Sequence, residues 1–149
     1  MIAIACDHAG IDLKPHVIAV LDELGLPYKD LGTNSHESVD YPVYGARAAR
    51  AVSSGECDRG IVMCGTGVGI AMAASKVRGI RCVNCTDTYS AKMSRMHNNA
   101  NMLSLGARVV GSELAKEIVR VWLTTDFEGE RHARRVEMLN RLDRGEALE

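Results

Sequence analysis

Short apolar runs alternate with longer amphipathic stretches along the 149 residues, a pattern typical of a parallel sheet covered by helices. The apolar runs predict five strands, at residues 2–6, 28–31, 60–64, 80–84 and 102–105. Apolar residues at helical spacing predict six helices, at residues 11–24, 41–54, 70–76, 88–96, 112–123 and about 128–142. We therefore expect an α/β fold: one Rossmann-like, doubly wound five-stranded parallel sheet in a three-layer αβα sandwich, forming a single domain over residues 1–149.

Composition and charge narrow the class of protein. The formal net charge of −1 gives no general attraction to nucleic acid or to an acidic membrane surface. No apolar run approaches the roughly 20 residues that span a bilayer. The amino terminus, Met1 to Asp7, reads as a strand without a basic leader or a signal-peptide core, so we expect a cytoplasmic protein. Five cysteines, an odd number, argue against a disulfide framework.

A CxxC spacing at Cys82 and Cys85 stands alone in the sequence. A structural zinc site needs a second pair of ligands, and the surrounding residues look like a buried strand. We therefore expect these two cysteines to be packing residues and expect no metal.

The strongest local signal is Cys64-Gly-Thr-Gly-Val-Gly69, where a predicted strand runs into a predicted helix. Ligands of such sheets bind outside the carboxyl ends of the strands, and a helix N-terminus offers free N–H groups to an anion. The loop is not a dinucleotide fingerprint, because Ile70 stands where glycine or alanine is required, and no Gly-Lys-Ser/Thr follows for a Walker loop. The pattern favours an anion smaller than a dinucleotide, with a merely tight turn as the alternative.

Three further positions near this edge carry reactive side chains. Cys64 is either a core residue or a thiolate favoured by the helix N-terminus, able to act as base or nucleophile. Asp7 and His8 follow the first strand and either face the crevice or, for Asp7, cap the next helix.

Three further basic residues are candidates for a role at the site. His97 ends the helix that follows the fourth strand, so its approach to the crevice needs a separate explanation. Arg131 and Arg135 are four residues apart and share a helix face. They either fork a phosphate or form a solvated basic face paired with Glu128 and Glu137.

Together these residues resemble the ribose-5-phosphate isomerase B family, which includes the galactose-6-phosphate isomerase subunits. The resemblance covers nearly the whole chain, and several separated motifs occur in the family's order. They are Asp7-His-Ala-Gly10, Val39-Asp-Tyr-Pro42, Cys64-Gly-Thr-Gly-Val-Gly-Ile70, Tyr89-Ser-Ala, Ser94-Arg-Met-His-Asn98, Gly106-Ala-Arg-Val-Val-Gly111 and Arg131-His-Ala-Arg-Arg135.

The resemblance implies a metal- and cofactor-free interconversion of ribose 5-phosphate and ribulose 5-phosphate, a step of the pentose phosphate pathway, through a cis-enediol. Cys64 would be the base that moves a proton between C2 and C1. One branch of the family uses instead a glutamate at the end of the glycine loop, where this chain has Ile70. His97, helped by Asp7, would open the furanose ring. Thr66 would add a hydroxyl contact.

The resemblance also implies a binding set and an assembly. Phosphate, sugar hydroxyls and the enediolate would be held by His8, Tyr41, Gly65, Gly67, Val68, Gly69, Ile70, Asn98, Arg108, Arg131 and Arg135. The family forms dimers with shared active sites. We therefore expect a homodimer or dimer of dimers, with His97 and Asn98 reaching the neighbouring subunit and the helix at about 128–143 packing at the interface.

Two alternatives remain open. The same chemistry on a six-carbon sugar, allose 6-phosphate or galactose 6-phosphate, differs only in pocket depth. A non-catalytic phosphate- or nucleotide-binding module on this scaffold would keep the glycine loop without the base, whereas Cys64 is present. A structural interaction protein is disfavoured, because glycine and polar residues cluster at the ligand-binding edge.

Overall fold

A computed structural model describes all residues, 1–149, and contains one five-stranded parallel sheet with strand order β2-β1-β3-β5-β4. This confirms the predicted sheet. The strands are β1 (Ile2–Cys6), β2 (Tyr28–Asp30), β3 (Arg59–Cys64), β4 (Cys82–Asn84) and β5 (Met102–Gly106). The central strands β1, β3 and β5 are buried almost throughout, as expected for strands covered on both faces.

Six α-helices connect and flank the strands. They are α1 (Lys14–Glu23), α2 (Tyr41–Ser53), α3 (Val68–Ser75), α4 (Thr88–Met96), α5 (Ser112–Thr124) and α6 (Arg131–Asp143). A 3-10 turn at Ile11–Leu13 opens the region predicted as one helix from residue 11. None of the helices combines the length and the apolar character needed to cross a membrane.

The beginning of α6 differs most from the sequence prediction. Gly129 and Glu130 have φ angles of 71° and 51°, so the chain turns through left-handed backbone before the helix starts at Arg131. The N–H of Glu128 donates to the carbonyl of Met96 (3.1 Å), which ties this turn to the end of α4.

Two hydrophobic clusters, one on each face of the sheet, form the core. One cluster packs α1, α4 and α5 against the sheet around the fully buried Trp122. The other packs α2 and α3 against the opposite face, where Gly45 lets Ile70 approach the backbone of α2 closely. This two-faced burial confirms the three-layer sandwich.

The chain order reverses between β1 and β3, which places their carboxyl ends side by side. The N–H of Asp7 donates to the carbonyl of Met63 (3.2 Å), next to Cys64. Gly10 is required there because a Cβ on it would lie 2.3 Å from the same carbonyl oxygen. The loops after β1 and β3 therefore meet at the switch point, where α/β sheets bind ligands.

Candidate active site

Cys64 ends β3 and anchors the glycine loop. Its side chain is buried, with 5% exposed, and its Sγ accepts the N–H of Gly67 at 3.1 Å. Gly67 has φ +81°, and a Cβ on it would lie 2.7 Å from Oδ1 of Asn84. Ser104 of β5 donates its hydroxyl to the carbonyl of Gly67, which fixes the peptide plane. The loop thus folds so that one amide points at the sulfur.

The other amides of the loop divide into paired and unpaired groups. The N–H of Val68 donates to Oγ1 of Thr66 (3.2 Å). No acceptor within the chain binds the N–H groups of Gly65, Thr66, Gly69 and Ile70. Four unpaired donors at the start of α3 suit an anion, because the helix N-terminus adds partial positive charge. These donors favour the anion-binding interpretation of the loop over a merely tight turn.

Asp7 and His8 line the same switch point. Oδ1 of Asp7 accepts the N–H groups of Ala9 and Gly10, both at 2.9 Å, so part of this carboxylate does cap the turn. Its Oδ2 has no hydrogen-bond partner within the chain. Nδ1 of His8 accepts the N–H of Val39 (3.1 Å), which leaves Nε2 as the ring nitrogen free to donate.

Tyr41 and Arg108 border the glycine loop. The ring of Tyr41 covers Gly69 so closely that a Cβ there would lie 2.8 Å from Cζ. Nη1 of Arg108 would lie 3.4 Å from a Cβ on Gly65, and its exposed guanidinium makes no ion pair. The structure therefore brings a phenol and a free cation to the loop, as the sequence predicts.

His97 and Asn98 lie at the other end of the sheet. Helix α4 starts beyond the carboxyl end of β4 and returns to the amino end of β5, so its last turn cannot reach Cys64. Arg81, just before β4, donates to the backbone carbonyls of Asn98 (3.3 Å) and Asn99 (2.9 Å), which fixes that position. Within one chain the two predicted groups of site residues are separate.

Arg131 and Arg135 belong to this second group. Both are exposed and form no ion pair, whereas Glu137 pairs with Arg144 (3.0 Å). Both lie near His132, and their positive charges help to lower the pKa of that histidine. The solvated-face alternative needed partners at Glu128 and Glu137, and neither carboxylate is paired with these arginines. Two unpaired guanidinium groups on one helix face suit a phosphate.

His132, which is not among the predicted site residues, lies at the centre of the second group. Its ring stacks on that of His97, with centroids 4.1 Å apart and planes at 12°. Its position four residues before the buried Val136 puts it on the inner face of α6, a helical spacing that could have revealed it. Ser104 was also missed, although a serine within an apolar strand was a visible signal.

Donor atoms of His97, Glu128 and His132 lie within 4.8 Å of one another. The two rings are nearly parallel, so the lone pairs of their nitrogens cannot converge on one ion without rotating a ring. The thiol pKa values of Cys82 and Cys85 are raised to about 12 and about 11, chiefly by burial. These cysteines are suited to packing, as the sequence predicts.

Fold and site define an α/β protein with a glycine loop of unpaired amides beside a buried cysteine at the switch point of its sheet. The family model "Ribose/Galactose Isomerase" matches residues 2–139, and the chain belongs to this family. It is therefore an aldose–ketose isomerase of sugar phosphates.

Individual relatives resemble the chain over nearly its full length. It is 51% identical to ribose-5-phosphate isomerase B of Escherichia coli (95% of each chain). It is 45% identical to D-erythrulose-4-phosphate isomerase of Pectobacterium atrosepticum (93% of this chain, 91% of that one). The solved structure of ribose-5-phosphate isomerase B from Clostridium thermocellum superposes with a TM-score of 0.94 at 52% identity (97% of each chain).

Proposed function

We propose that the protein interconverts ribose 5-phosphate and ribulose 5-phosphate through a cis-enediolate, with Cys64 as the base. The observation that carries this proposal is the N–H···S contact of 3.1 Å between Gly67 and Cys64, inside a loop with four unpaired amides. The unpaired amides and the helix N-terminus favour a negatively charged substrate oxygen beside the sulfur. The resemblance to ribose-5-phosphate isomerase B proteins supports the choice of substrate.

The proton moves as follows. Once the aldose is open, Sγ of Cys64 takes the proton from C2, and the C2–H electron pair forms the C1–C2 double bond while O1 gains charge. The same sulfur returns the proton to C1, and the O2 hydroxyl gives its proton to O1, which leaves the ketone at C2. The unpaired amides of Gly65, Thr66, Gly69 and Ile70 would stabilise the oxyanion. Base and anion stabilisation each contribute roughly 10²- to 10⁴-fold in rate.

A complete site needs the second group of residues as well. β3 has six residues, so the two ends of the sheet lie about 20 Å apart at ~3.3 Å per residue. His97 of one chain therefore cannot act at its own Cys64. We infer that a second copy of the chain supplies His97, Asn98, Arg131 and Arg135 to each Cys64, in a homodimer or dimer of dimers.

An exposed apolar band supports this assembly. Val68 and Met72, on α3, are 45% and 63% exposed, while Leu139 and Leu142, on α6, are 44% and 51% exposed. Two adjoining grooves, of about 330 and 540 Å³, share Ser75 and Cys82 and connect these helices. The band begins beside the glycine loop and ends on α6, the helix that carries Arg131 and Arg135. A partner subunit that covers the band would therefore contact both groups of predicted site residues. This would place α6 at the subunit interface.

Sugar phosphates with a different number of carbons are the main alternatives to ribose 5-phosphate as substrate. Relatives of comparable similarity include a D-erythrulose-4-phosphate isomerase, and a galactose-6-phosphate isomerase subunit is 38% identical. The distance between Cys64 and the two arginines decides which length of sugar fits. In the proposed dimer these residues come from different subunits, so the packing of the subunits sets that distance. The candidate substrates therefore have four, five or six carbons, with five favoured by the ribose-5-phosphate isomerase B proteins of Escherichia coli and Clostridium thermocellum.

The deciding experiment measures ketose formation from ribose 5-phosphate by the purified protein in the presence of a metal chelator. We expect rapid conversion, with kcat/KM higher than for erythrose 4-phosphate, allose 6-phosphate or galactose 6-phosphate. A higher kcat/KM for another sugar would replace the substrate and keep the chemistry. Binding of all four sugars without turnover would instead favour a non-catalytic phosphate-binding module.

A further inference from the structure

Beyond the residues assigned so far, His132 has an environment that a packing residue would not need. Its side chain is 5% exposed, and its Nε2 lacks a hydrogen-bond partner. The nearest acceptor is Oε2 of Glu128 at 3.4 Å, outside good hydrogen-bond geometry. An apolar side chain would fill this place without burying an unsatisfied nitrogen, so packing alone does not account for a histidine.

The contact that distinguishes His132 is its stack on His97. The rings are nearly parallel, at 12°, with centroids 4.1 Å apart. His97 is the C-cap of α4 and only half-buried, and the torsion that turns an imidazole about its Cβ–Cγ bond is broad and weakly restrained. A flat surface against one face of the ring removes that freedom and fixes the plane in which the nitrogens of His97 lie.

The backbone around His132 holds the stacking ring firmly. The N–H of Glu128 donates to the carbonyl of Met96 (3.1 Å), one residue before His97. The N–H of His132 donates to the carbonyl of Gly129 (3.0 Å), which closes the left-handed turn. These hydrogen bonds connect the start of α6 to the end of α4, so the backbone fixes the imidazole rings of His97 and His132 relative to each other.

The surroundings of His132 disfavour a positive charge on its imidazole ring. Burial is the main cause that lowers the pKa of His132, followed by His97 and Arg131, and only Glu128 opposes them. Arg135 acts in the same direction as Arg131. Burial, His97 and the two arginines therefore all favour the neutral form of the ring that stacks on His97.

We propose that His132 is a positioning residue for opening of the sugar ring, holding the imidazole of His97 in the orientation that reaches the ring oxygen. This rests on the proposed function, in which His97 opens the ring. In that step a proton is given to O4 as the C1–O4 bond breaks, and the O1 hydroxyl loses its proton as the C1=O1 bond forms. Poor orientation of His97 slows this step and leaves the transfer between C1 and C2 intact.

The chemistry of the two substrates separates these steps. Ribose 5-phosphate closes through O4 into a furanose, whereas ribulose 5-phosphate cannot form a furanose because its O5 carries the phosphate. Turnover from the ketose therefore needs no ring opening. A positioning defect at His97 lowers kcat with the aldose alone, while a general structural defect lowers kcat in both directions.

The experiment measures kcat from both substrates for wild type, His132→Ala, His132→Phe and His97→Ala. For His132→Ala we expect kcat with ribose 5-phosphate to fall about ten- to a hundredfold, with kcat for ribulose 5-phosphate within about threefold of wild type. His132→Phe keeps a flat ring and should recover most of the loss. The ratio of the two kcat values does not depend on how much of a variant is folded. His16→Gln, a histidine of α1 away from both groups, is the matched control.

Equal losses in both directions, no loss in either, or no recovery by phenylalanine would each overturn the positioning role. Wild-type protein that turns over neither sugar would refute the proposed function instead. A His97→Ala variant that loses both directions equally would refute ring opening by His97, and with it the role of His132.

Discussion

The N–H of Gly67 donates to Sγ of Cys64 across 3.1 Å, so the backbone that forms the anion loop also holds the sulfur. The left-handed φ of Gly67 makes this contact possible, and Ser104 fixes the same peptide from its carbonyl side. The proposed base and the proposed oxyanion site are therefore parts of one loop.

If Cys64 is the base, replacing its sulfur removes the proton acceptor and leaves the phosphate anchors in place. We expect Cys64→Ala to lower kcat by roughly 10²- to 10⁴-fold while the affinity for ribose 5-phosphate, measured by calorimetry, changes little. Cys57→Ala, which removes a buried cysteine outside the site, serves as the control. Turnover of Cys64→Ala within a fewfold of wild type would rule out the assignment.

Arg131 and Arg135 can be tested against a neighbour on the same helix. Each alanine variant loses charge-assisted hydrogen bonds to the phosphate worth about 1.5–3 kcal/mol, so KM should rise roughly ten- to a hundredfold with a smaller change in kcat. Arg134→Ala removes an exposed arginine that forms no ion pair and donates a weak hydrogen bond to Sδ of Met138, and should leave KM unchanged. Equal effects of all three changes would indicate a loss of general positive charge instead of a phosphate site.

A mixture of two inactive variants tests whether two copies share a site. Cys64→Ala and His97→Ala are purified separately, mixed, and allowed to exchange subunits. In a mixed dimer, one of the two sites then combines an intact Cys64 with an intact His97. Activity with ribose 5-phosphate should rise to a fraction of the wild-type value after exchange, as the opposite ends of one sheet hold the two residues.

The control is a mixture of Cys64→Ala protein with a double variant that carries both Cys64→Ala and His97→Ala. None of its sites has an intact cysteine, so subunit exchange by itself should not restore activity. If the first mixture stays as inactive as this control although mixed dimers have formed, each site is built within one chain.

Thiols with raised pKa values predict how the stability of the protein depends on pH in alkali. The pKa of Cys82 is raised to about 12 and those of Cys6 and Cys85 to about 11, chiefly because burial disfavours the thiolate. Below the unfolded value of about 9, both states keep the proton and stability is complete. As the pH rises from about 9 towards 12 the unfolded chain loses protons first, so stability falls.

Thermal unfolding between about pH 8 and about pH 11 measures this loss. Tm should decline over the interval, and Cys82→Ala should decline less steeply because it removes one of the three thiols. Identical slopes for the variant and wild type would assign the alkaline loss to other groups.

Much of the fold follows from local pattern. The periodicity of apolar residues gives five strands and six helices within a few residues, because each element buries one face or both against its neighbours. The anion loop could also be predicted, since glycines after a strand permit the left-handed backbone that Gly67 adopts and let the chain approach a ligand closely. The left-handed turn at Gly129 and Glu130 was missed, because a non-glycine residue with φ of 51° is set by the contact with α4 and not by local preference.

The sequence by itself determined the class of chemistry: a cysteine, a glycine loop and basic groups in one short chain. The order of elements also set His97 apart from the crevice. The tertiary structure fixed that separation, because α4 returns along the parallel sheet to the end opposite Cys64. It also decided that His132 packs on His97, a contact between the end of one helix and the start of another, 35 positions apart. Residues that far apart meet through packing, and no local pattern encodes the distance between them.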